Sequence, residues 1–585
     1  MAQSSYICQF VGEAGYGVMS AGSMVAKAAG RNGLWAFIAS EYPSLIKGGL
    51  NTCLVRLSDQ PVTAYEEELD FLGVMSQEGL EQNYTKLKQG AVLLYDADAV
   101  QVDPAKLTAG VAAFPVKLLQ AIAGDSAKFM ANSAMVGAFC ALCGFPVELI
   151  AAVMRSEFSQ PEIQARNLSL LSETYNKVAA DMAGKPDFPL AFTANDRSKM
   201  LLNGNEAISM GAIKAGCKFA AGYPMTPGSS VLTYVADHAS EYGLVFKQAE
   251  DEVAAMNMLI GAGFAGVRAI GATSGGGFAL MVEALGFAGQ AEVPVVMVEA
   301  QRGGPSTGLP TRTAQADLNF VTYASQGEFP RFVIAPGDID ECFYETFRIF
   351  NLAEKYQVPC IILSDKYLAD SAATNLFFDD AGLTIDRGKL ADEGRLAANQ
   401  PYWRYRQTED GISLRAIPGQ KGGRHIATSY THGEDGFYSS GNHEYAASEP
   451  EITAAGLDKL FRKVPAMLAD VPAIELYGPE IADLTIVAWG STKGAVLEAM
   501  NLAAAAGLTV NFLQVRYLSP FPAAAVEAVL QKARQTLLVE GNKTAQLGGM
   551  IRANTGYKMD HTYLKYDSRP FVPSAIFAKM KEVLG

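Results

Sequence analysis

Cysteine and histidine are scarce in this sequence. Its 585 residues include only 7 cysteines and 5 histidines. Cys140 and Cys143 form a CxxC pair in the apolar run MVGAFCALCGF, with no second pair nearby. One such pair cannot complete the ligand set of a zinc site or an iron–sulfur cluster. We therefore predict that the cysteines are buried free thiols, and we expect a reducing, cytoplasmic compartment.

Long apolar runs and clusters of basic residues are also lacking. No stretch approaches the about 18 uninterrupted apolar residues of a membrane-spanning helix. The N-terminal run MAQSSYICQFVGEAGYG has no basic start, so we expect no signal peptide. The 47 basic and 61 acidic residues give a net charge of −14. We therefore expect neither a membrane nor a nucleic acid among the partners.

The chain is long enough for several α/β domains. It is 49% hydrophobic, which allows large cores. Within residues 201–372, the strand-like runs CKFAAGYP, GVRAIGATS and VPVVMVEA alternate with helix-like runs and lead into small and polar residues. This pattern predicts a parallel sheet whose carboxyl edge binds a ligand.

Glu252 begins the apolar run EVAAMNMLIGAGFAG. Val253, Met256, Ile260 and Phe264 recur at helical spacing, so we place Glu252 in the first turn of a helix. Acidic residues are common there because they complement the helix dipole. From the residues alone, this structural role is favoured over a catalytic one.

Three motifs follow one another in this segment. They are YPMTP at 223–227, Glu252 followed by Gly261, and the loop QRGGPSTGLPTR at 301–312. In this order they resemble the alpha subunit of the 2-oxoacid:ferredoxin oxidoreductases, and in particular its pyrimidine-binding domain for thiamine diphosphate. The overall resemblance is to the 2-oxoglutarate subgroup, with a pyruvate or broad-range 2-oxoacid enzyme as the close alternative.

The resemblance implies an oxidative decarboxylation. A 2-oxoacid would lose carbon dioxide, coenzyme A would take the acyl group, and ferredoxin would take the electrons. In the reverse direction the same enzyme would fix carbon dioxide, as in a reductive tricarboxylic acid cycle. An indolepyruvate-type or transketolase-type thiamine enzyme and a non-catalytic assembly subunit remain alternatives.

The resemblance also assigns roles to residues. Glu252 would be the catalytic carboxylate bonded to the aminopyrimidine of thiamine diphosphate, with Glu250 as its rival. Further cofactor contacts would come from Pro224 and Met225. Substrate contacts would come from Tyr223, Thr226, Arg302 and Arg312. For each arginine a surface ion pair is the alternative, and no residue is assigned to a metal.

The N-terminal segment, residues 1–185, carries the glycine turn GEAGYG at 12–17 and the element SLIKGG at 44–49. Both resemble the gamma subunit of the same family, so the chain resembles a gamma–alpha fusion. Tyr16 stands where that family usually has Gln. A glycine turn between a strand and a helix either binds an anion or only packs the two elements together. Residues 186–200 are predicted to be a linker.

The C-terminal part divides into two segments. Residues 373–478 have little regular pattern, and their polar residues match no standard metal motif, which favours a polar loop. Those residues are His425, His432, Glu434, Asp435 and His443. The stretch THGEDG at 431–436 resembles a part of the alpha subunits and is expected to cover the active site or a subunit contact. Residues 479–585, with VRYLSPFP and EGNK, resemble a transketolase C-terminal domain, whose usual role is assembly.

Residues 261–266 match the pattern GxGxxG, but we do not interpret them as a dinucleotide-binding site. The dinucleotide fingerprint lies between a strand and the helix that follows it. Here the glycines follow a helical pattern and precede the strand-like run VRAIGATS. We therefore predict that they end the helix.

Some parts of a complete thiamine enzyme are missing from the sequence. We find no GDG…N element for Mg²⁺ and diphosphate, and no cysteine set for an iron–sulfur cluster. In the family that the chain resembles, a separate beta subunit carries Mg²⁺, the diphosphate site and a 4Fe–4S cluster. The resemblance therefore implies that this chain is half of an enzyme, in an (alpha–beta)2 heterotetramer.

Overall fold

The computed structural model describes residues 5–44, 48–118, 127–182, 184, 186–193, 198–440 and 448–585. These residues form three mixed β-sheets with helices packed on them. Part of the SLIKGG element, residues 45–47, and His443 lie outside the described residues. Among the described helices, none has both the length and the apolarity needed to cross a bilayer.

The N-terminal segment contains a sheet in the order β6-β5-β4-β1-β3-β2-β14-β7, in which β14 Ala372–Leu376 and β7 Lys199–Asn203 come from later in the chain. Its elements are β1 Ser5–Glu13, α1 Val18–Gly30, β2 Trp35–Glu41, β3 Leu50–Ser58, β4 Leu69–Val74, α2 Gln77–Asn83, β5 Leu87–Asp96, β6 Ala112–Val116, α3 Ala127–Cys143, α4 Val147–Glu157 and α5 Pro161–Ala180. Short 3-10 helices span Tyr84–Lys86 and Pro104–Lys106.

The apolar run with the CxxC pair forms α3, which packs in the core of this segment. Phe10, Phe71 and Phe139 have ring centroids 4.9–5.8 Å apart there. Burial raises the pKa of the Cys143 thiol to about 12. All seven cysteines are buried free thiols, which confirms that prediction.

The central segment contains the second sheet, in the order β18-β12-β13-β11-β10-β8-β9, in which the edge strand β18 Tyr517–Ser519 comes from the C-terminal segment. Its elements are β7 Lys199–Asn203, α6 Gly204–Lys214, β8 Phe219–Gly222, α7 Ser229–Asp237, β9 Val245–Gln248, α8 Glu252–Phe264, β10 Ala269–Thr273, α9 Gly275–Gln290, β11 Val295–Gln301, α10 Leu318–Tyr323, β12 Phe332–Ile334, α11 Ile339–Tyr356, β13 Pro359–Asp365, α12 Lys366–Asp370 and β14 Ala372–Leu376. Strands β8 to β13 run parallel. All three strand-like runs named above form strands of this sheet, and the short β9 adds a strand that they did not include.

The connecting and C-terminal segments follow. Their elements are α13 Glu393–Ala398, α14 Glu449–Phe461, α15 Val464–Ala469, β15 Glu475–Tyr477, β16 Leu484–Ala488, α16 Thr492–Ala505, β17 Val510–Gln514, β18 Tyr517–Ser519, α17 Ala523–Leu530, β19 Thr536–Glu540, α18 Gln546–Thr555, β20 His561–Leu564 and α19 Pro573–Leu584. The third sheet has the order β15-β17-β16-β19-β20.

The three sheets are joined by exchanged strands and buried ion pairs. β7 and β14, which flank the central segment, pair with the N-terminal sheet, and β18 pairs with β12 of the central sheet. Arg56 forms a buried ion pair with Glu498 at 2.5 Å, and Lys493 forms one with Glu341 at 2.6 Å. These links hold the sequence segments in fixed positions relative to one another.

The glycines of the GxGxxG match lie at the end of α8. Gly263 lets the helix approach the next segment, because a Cβ there would lie 2.4 Å from the Pro294 carbonyl oxygen. Gly266 has φ +82°, the left-handed conformation that commonly follows a helix end. The structure therefore confirms that these glycines end the helix.

The two glycines of α8 provide a matched test of this packing. We expect Gly263→Ala to lower the thermal midpoint of the chain, because the added methyl group would overlap the Pro294 carbonyl. Gly261→Ala adds the same methyl group where no heavy atom lies within 4 Å, and alanine favours helix by about 1 kcal/mol. We expect that variant to keep or raise the midpoint. Calorimetry of both variants is the measurement, and equal losses would contradict the packing.

Candidate active site

The central sheet changes direction between β8 and β10. From β8, the chain moves first to one side, to β9, and then to the other side, to β10 and β11. In open α/β sheets, ligands bind in the crevice outside the carboxyl ends of strands at such a switch point. The crevice lies between the segment after β8, which is YPMTP, and the start of α9, which follows β10.

The YPMTP turn is fixed to the ends of the neighbouring strands. Tyr223 is 40% exposed, whereas Met225 and Thr226 are half-buried. Arg302 Nη1 donates a hydrogen bond to the Thr226 carbonyl oxygen at 2.7 Å. The Thr273 hydroxyl donates a long hydrogen bond to Met225 Sδ, with Oγ1 and Sδ 3.9 Å apart. The turn, with the exposed Pro224, therefore forms one wall of the crevice.

Glu252 is the first residue of α8, and its side chain is buried. Its exposure is 3%, whereas Glu250 is exposed. Asp251 caps the helix by accepting a hydrogen bond from the Ala254 amide at 2.7 Å. Oε1 of Glu252 is buried and has no hydrogen-bond partner in the described part of the chain. An unpaired buried carboxyl oxygen costs free energy unless a donor from outside the chain reaches it.

The carboxyl group of Glu252 lies against the first turn of α9. A Cβ built on Gly277 would be 2.6 Å from Glu252 Oε1 and 2.1 Å from Thr273 Oγ1. Only glycine leaves room for these two polar groups at this position. Ser274 Oγ, at the start of the same helix, is also buried and has no partner among the described residues. Two buried polar atoms, Glu252 Oε1 and Ser274 Oγ, thus lack a hydrogen-bond partner among the described residues beside the crevice.

Arg302 interacts electrostatically with two carboxyl groups, those of Glu299 and Asp317. Glu299 is fully buried, and neither of its oxygens has a hydrogen-bond partner among the described residues. Burial raises the pKa of Glu299 well above its usual range, with further raising effects from Asp317 and Asp365 and an opposing one from Arg302. Burial also raises the pKa of Asp317 to about 6, although the positive charge of Arg302 acts to lower it. Burial lowers the pKa of Arg302, whereas the negative charges of Glu299 and Asp317 act to raise it.

The side chain of Arg312 has a different environment from that of Arg302. Its carbonyl oxygen accepts a hydrogen bond from the Gly303 amide at 3.0 Å, so the backbone lies beside that of Arg302. Its guanidinium, however, forms an ion pair with Glu41 of the N-terminal segment at 3.0 Å. The structure therefore brings Glu252, Met225, Thr226 and Arg302 together, and it places the side chain of Arg312 at the boundary with another segment.

The loop between Arg302 and α10 is held by the C-terminal segment. The backbone amide of Gln315 donates to the Gly541 carbonyl oxygen at 2.9 Å, and the side-chain Oε1 of Gln315 accepts from the Gly541 backbone amide at 2.9 Å. The side-chain amide of Asn542 donates to the Gln315 carbonyl oxygen at 2.8 Å, and that of Gln546 donates to the Ala316 carbonyl oxygen at 2.7 Å. The EGNK motif and Gln546 thus position the loop that carries the arginines.

The other candidate residues lie outside this crevice. His432 packs on Tyr405 with ring centroids 3.8 Å apart, and His425 Nδ1 donates to the Gly423 carbonyl oxygen at 2.8 Å. Glu434 accepts from the Gln407 amide at 3.1 Å. Within the described ranges, no group of His, Cys, Asp or Glu has a metal-site arrangement. In the glycine turn, the Ala14 amide donates to the carbonyl oxygen of Gly49 in the SLIKGG element, so this amide already has a partner within the chain.

Residues that sequence reasoning missed complete the crevice. They are Thr273, Ser274, Gly277, Glu299 and Asp317. A signal was present for Glu299, because it is a single acid within the apolar strand VVMVEAQ. A buried charge-bearing residue in such a strand often marks a functional site.

Three family models match successive parts of the chain. "Pyruvate ferredoxin/flavodoxin oxidoreductase" matches residues 7–177, "Pyruvate flavodoxin/ferredoxin oxidoreductase, thiamine diP-bdg" matches residues 210–449, and "Pyruvate:ferredoxin oxidoreductase core domain II" matches residues 482–567. The models describe a thiamine-diphosphate-binding oxidoreductase, and the one for thiamine diphosphate binding covers the segment with the switch point.

Whole-chain relatives define the family more closely. The 2-oxoacid:ferredoxin oxidoreductase subunit alpha of a Sulfolobus species is 32% identical over 96% of this chain and 94% of its own length. The 2-oxoglutarate synthase subunit KorA of Methanothermobacter thermautotrophicus is 35% identical over 58% of this chain and 87% of its own length.

A solved structure is similar over nearly the full length. It is the 2-oxoglutarate:ferredoxin oxidoreductase from Magnetococcus marinus with 2-oxoglutarate, coenzyme A and succinyl-CoA bound. It has 34% sequence identity and a TM-score of 0.89, and the match covers 99% of this chain and 100% of that one. The chain belongs to the 2-oxoacid:ferredoxin oxidoreductase family, in which it is an enzyme subunit. The recognition from motifs and the multidomain α/β fold class are both confirmed.

The raised pKa of Asp317 gives a pH-dependent test of the crevice. The folded-state pKa, about 6, lies above the ordinary value of 3.8. Between these two pH values, Asp317 is mostly ionised in the unfolded chain but still protonated in the folded chain. The contribution of Asp317 to the free energy of unfolding therefore falls as the pH rises. We expect the urea midpoint of the wild type, relative to that of Asp317→Asn, to decrease from about pH 4.5 to about pH 7. A constant or increasing difference would contradict the burial of this carboxyl group.

Proposed function

We propose that this chain is the gamma–alpha half of an enzyme that converts 2-oxoglutarate and coenzyme A to succinyl-CoA and carbon dioxide. Two electrons pass to ferredoxin in this reaction. The buried, unpaired carboxyl group of Glu252 at the switch-point crevice is the observation that carries the proposal. The choice of 2-oxoglutarate is supported by the KorA relative and by the ligands of the Magnetococcus marinus structure.

The crevice fits the aminopyrimidine end of thiamine diphosphate. Oε1 of Glu252 is available for a hydrogen bond to a ring nitrogen, and a dry position keeps that bond strong. Pro224 and Met225 would pack against the ring from the YPMTP turn. When bound, thiamine diphosphate supplies the nucleophilic carbon and the electron sink for the loss of carbon dioxide. Glu252 holds the ring in position and exchanges a proton with its nitrogen.

The substrate carboxylate requires a cation and hydrogen-bond donors. Arg302 uses Nη1 to hold the turn at Thr226, and its Nε has no partner in the described part of the chain. A guanidinium suits a carboxylate because of its fixed, forked geometry. We therefore assign Arg302 and Thr226 to the carboxylate beside the reacting carbon, Arg312 to the distal carboxylate, and Tyr223 to the rim of the pocket.

The surroundings of the crevice fit a partner subunit. Large apolar side chains are exposed on the turn and helices around it, which is typical of an interaction surface. They are Tyr223, Val253, Leu280, Leu309, Phe320 and Tyr323. We assign this face to a beta subunit that carries Mg²⁺, the diphosphate site and a 4Fe–4S cluster, in an (alpha–beta)2 assembly. Ferredoxin would receive its electrons from that cluster.

Three finer assignments belong to the same proposal. We divide the chain into a gamma-type domain at 1–185, a linker at 186–200, a pyrimidine domain at 201–372, a connecting region at 373–478 and a transketolase C-terminal-like domain at 479–585. The seven free thiols favour a reducing, cytoplasmic location. The reverse reaction would fix carbon dioxide, as in the reductive tricarboxylic acid cycle.

Glu252 and Glu250 provide a matched pair for testing the catalytic carboxylate. In the enzyme reconstituted with its beta subunit, we expect Glu252→Gln to reduce kcat by at least about 10²-fold, because the amide cannot exchange the proton. Glu250→Gln removes the same charge from the exposed neighbour and should keep kcat within about twofold. Turnover of Glu252→Gln within a few-fold of the wild type would favour a non-catalytic assembly subunit instead.

The substrate assignment has its own test. We expect kcat/KM of the reconstituted enzyme to be at least about tenfold higher for 2-oxoglutarate than for pyruvate, because a second carboxylate gains a guanidinium partner. Acyl-CoA products from a panel of 2-oxoacids are the measurement. Equal or higher kcat/KM for pyruvate would replace this assignment with a pyruvate or broad-range enzyme.

A further inference from the structure

Glu41 binds an arginine that the proposed function assigns to the substrate. Glu41 is the last residue of β2 in the N-terminal segment, and its Oε2 lies 3.0 Å from Arg312 Nη1. The backbone of Arg312 is fixed from both sides, because its amide donates to the Leu309 carbonyl oxygen and its own carbonyl accepts from the Gly303 amide, both at 3.0 Å. The side chain of Arg312 is thus presented from a rigid loop to a carboxylate of another segment.

The same carboxylate has a second arginine partner. Glu41 Oε1 lies 3.3 Å from Arg569 Nε in the C-terminal segment. Arg312 of the central segment and Arg569 of the C-terminal segment therefore form a two-arginine site for one carboxylate. Glu41 of the N-terminal segment occupies this site. Two guanidinium groups around one carboxylate are typical of a site for an anionic ligand.

The ion pairs of Glu41 are accessible to solvent. The side-chain exposures are 22% for Arg312, 42% for Glu41 and 41% for Arg569. Such exposed pairs are weak and are screened by salt. The buried pair of Arg56 and Glu498, by contrast, has exposures of only 7% and 8%. A ligand carboxylate can therefore displace Glu41 at small cost.

The space beside Glu41 is large enough for a small ligand. A cavity of about 260 Å³ is lined by Glu41, Arg312 and Arg569, and also by Lys86 and Lys366. Lys366 is buried and donates to the Ser40 carbonyl oxygen at 2.7 Å, next to Glu41 in sequence. The cavity thus combines four cationic side chains with a carboxylate placed between two of them.

We propose that Glu41 competes with the distal carboxylate of the substrate for Arg312. While Glu41 holds Arg312, the arginine is unavailable to the substrate, and a dicarboxylate ligand must displace Glu41 to bind. Glu41 thereby weakens binding of the substrate and is a specificity-determining residue contributed by the gamma-type segment. This proposal rests on the role assigned to Arg312 in the proposed function.

The test is a double-mutant cycle in the enzyme reconstituted with its beta subunit. We expect Glu41→Gln to lower KM for 2-oxoglutarate about two- to fivefold with little change in kcat, because the competing charge is gone. The decrease should become smaller at high salt, because salt already screens the pair in the wild type. In an Arg312→Gln background, the Glu41→Gln change should have no effect on KM.

Glu67→Gln is the matched control. Glu67 lines the same cavity, is exposed, and forms no ion pair with the described residues. Its removal should leave KM unchanged, so an equal decrease in KM for this variant would overturn the competition and indicate a general effect of charge.

The outcomes for the two residues are distinguishable. If Arg312→Gln leaves KM unchanged, the role of Arg312 in the proposed function fails, and the competition fails with it. If Arg312→Gln raises KM at least about tenfold but Glu41→Gln leaves KM unchanged or raises it, the role of Arg312 stands and the competition is overturned.

Discussion

The burial of the Glu252 carboxyl group is the constraint on which the site depends. This carboxyl can enter the crevice only because α9 begins with glycines, since a Cβ at Gly277 would lie 2.6 Å from it. The switch point of the sheet then places the YPMTP turn opposite. Oε1 of Glu252 has no partner within the described residues, so a large share of the cost of burial is recovered only when a donor binds. We propose that this donor is a group of the cofactor.

The positions of the arginines depend on contacts between segments. The loop after β11 has no regular structure until α10, and Gly541, Asn542 and Gln546 hold it from the C-terminal segment. That segment therefore positions the loop, in addition to the assembly role that its resemblance to a transketolase C-terminal domain implies. The N-terminal segment reaches the same loop through Glu41. All three sheets therefore contribute to the environment of the loop.

The sequence predicted local features of the site well. Helical periodicity placed Glu252 in the first turn of α8, and the glycines at 261–266 were correctly assigned to the end of that helix. The sequence did not reveal β9, because its strand VFKQ is only four residues long and its side chains are mostly exposed. The pairing of β14 and β7 with the N-terminal sheet, and the ion pair of Arg312 with Glu41, join residues far apart in sequence. Such contacts follow from tertiary packing and leave no periodic pattern in the chain.

We infer that this chain is half of a thiamine-diphosphate enzyme whose iron lies on a partner. The most direct measurement is purification of the chain from its host, with analysis of the protein, iron and thiamine diphosphate that accompany it. We predict recovery of a smaller iron–sulfur subunit together with thiamine diphosphate. Recovery of the chain alone, or of thiamine diphosphate without iron, would contradict this division of the active site between two subunits.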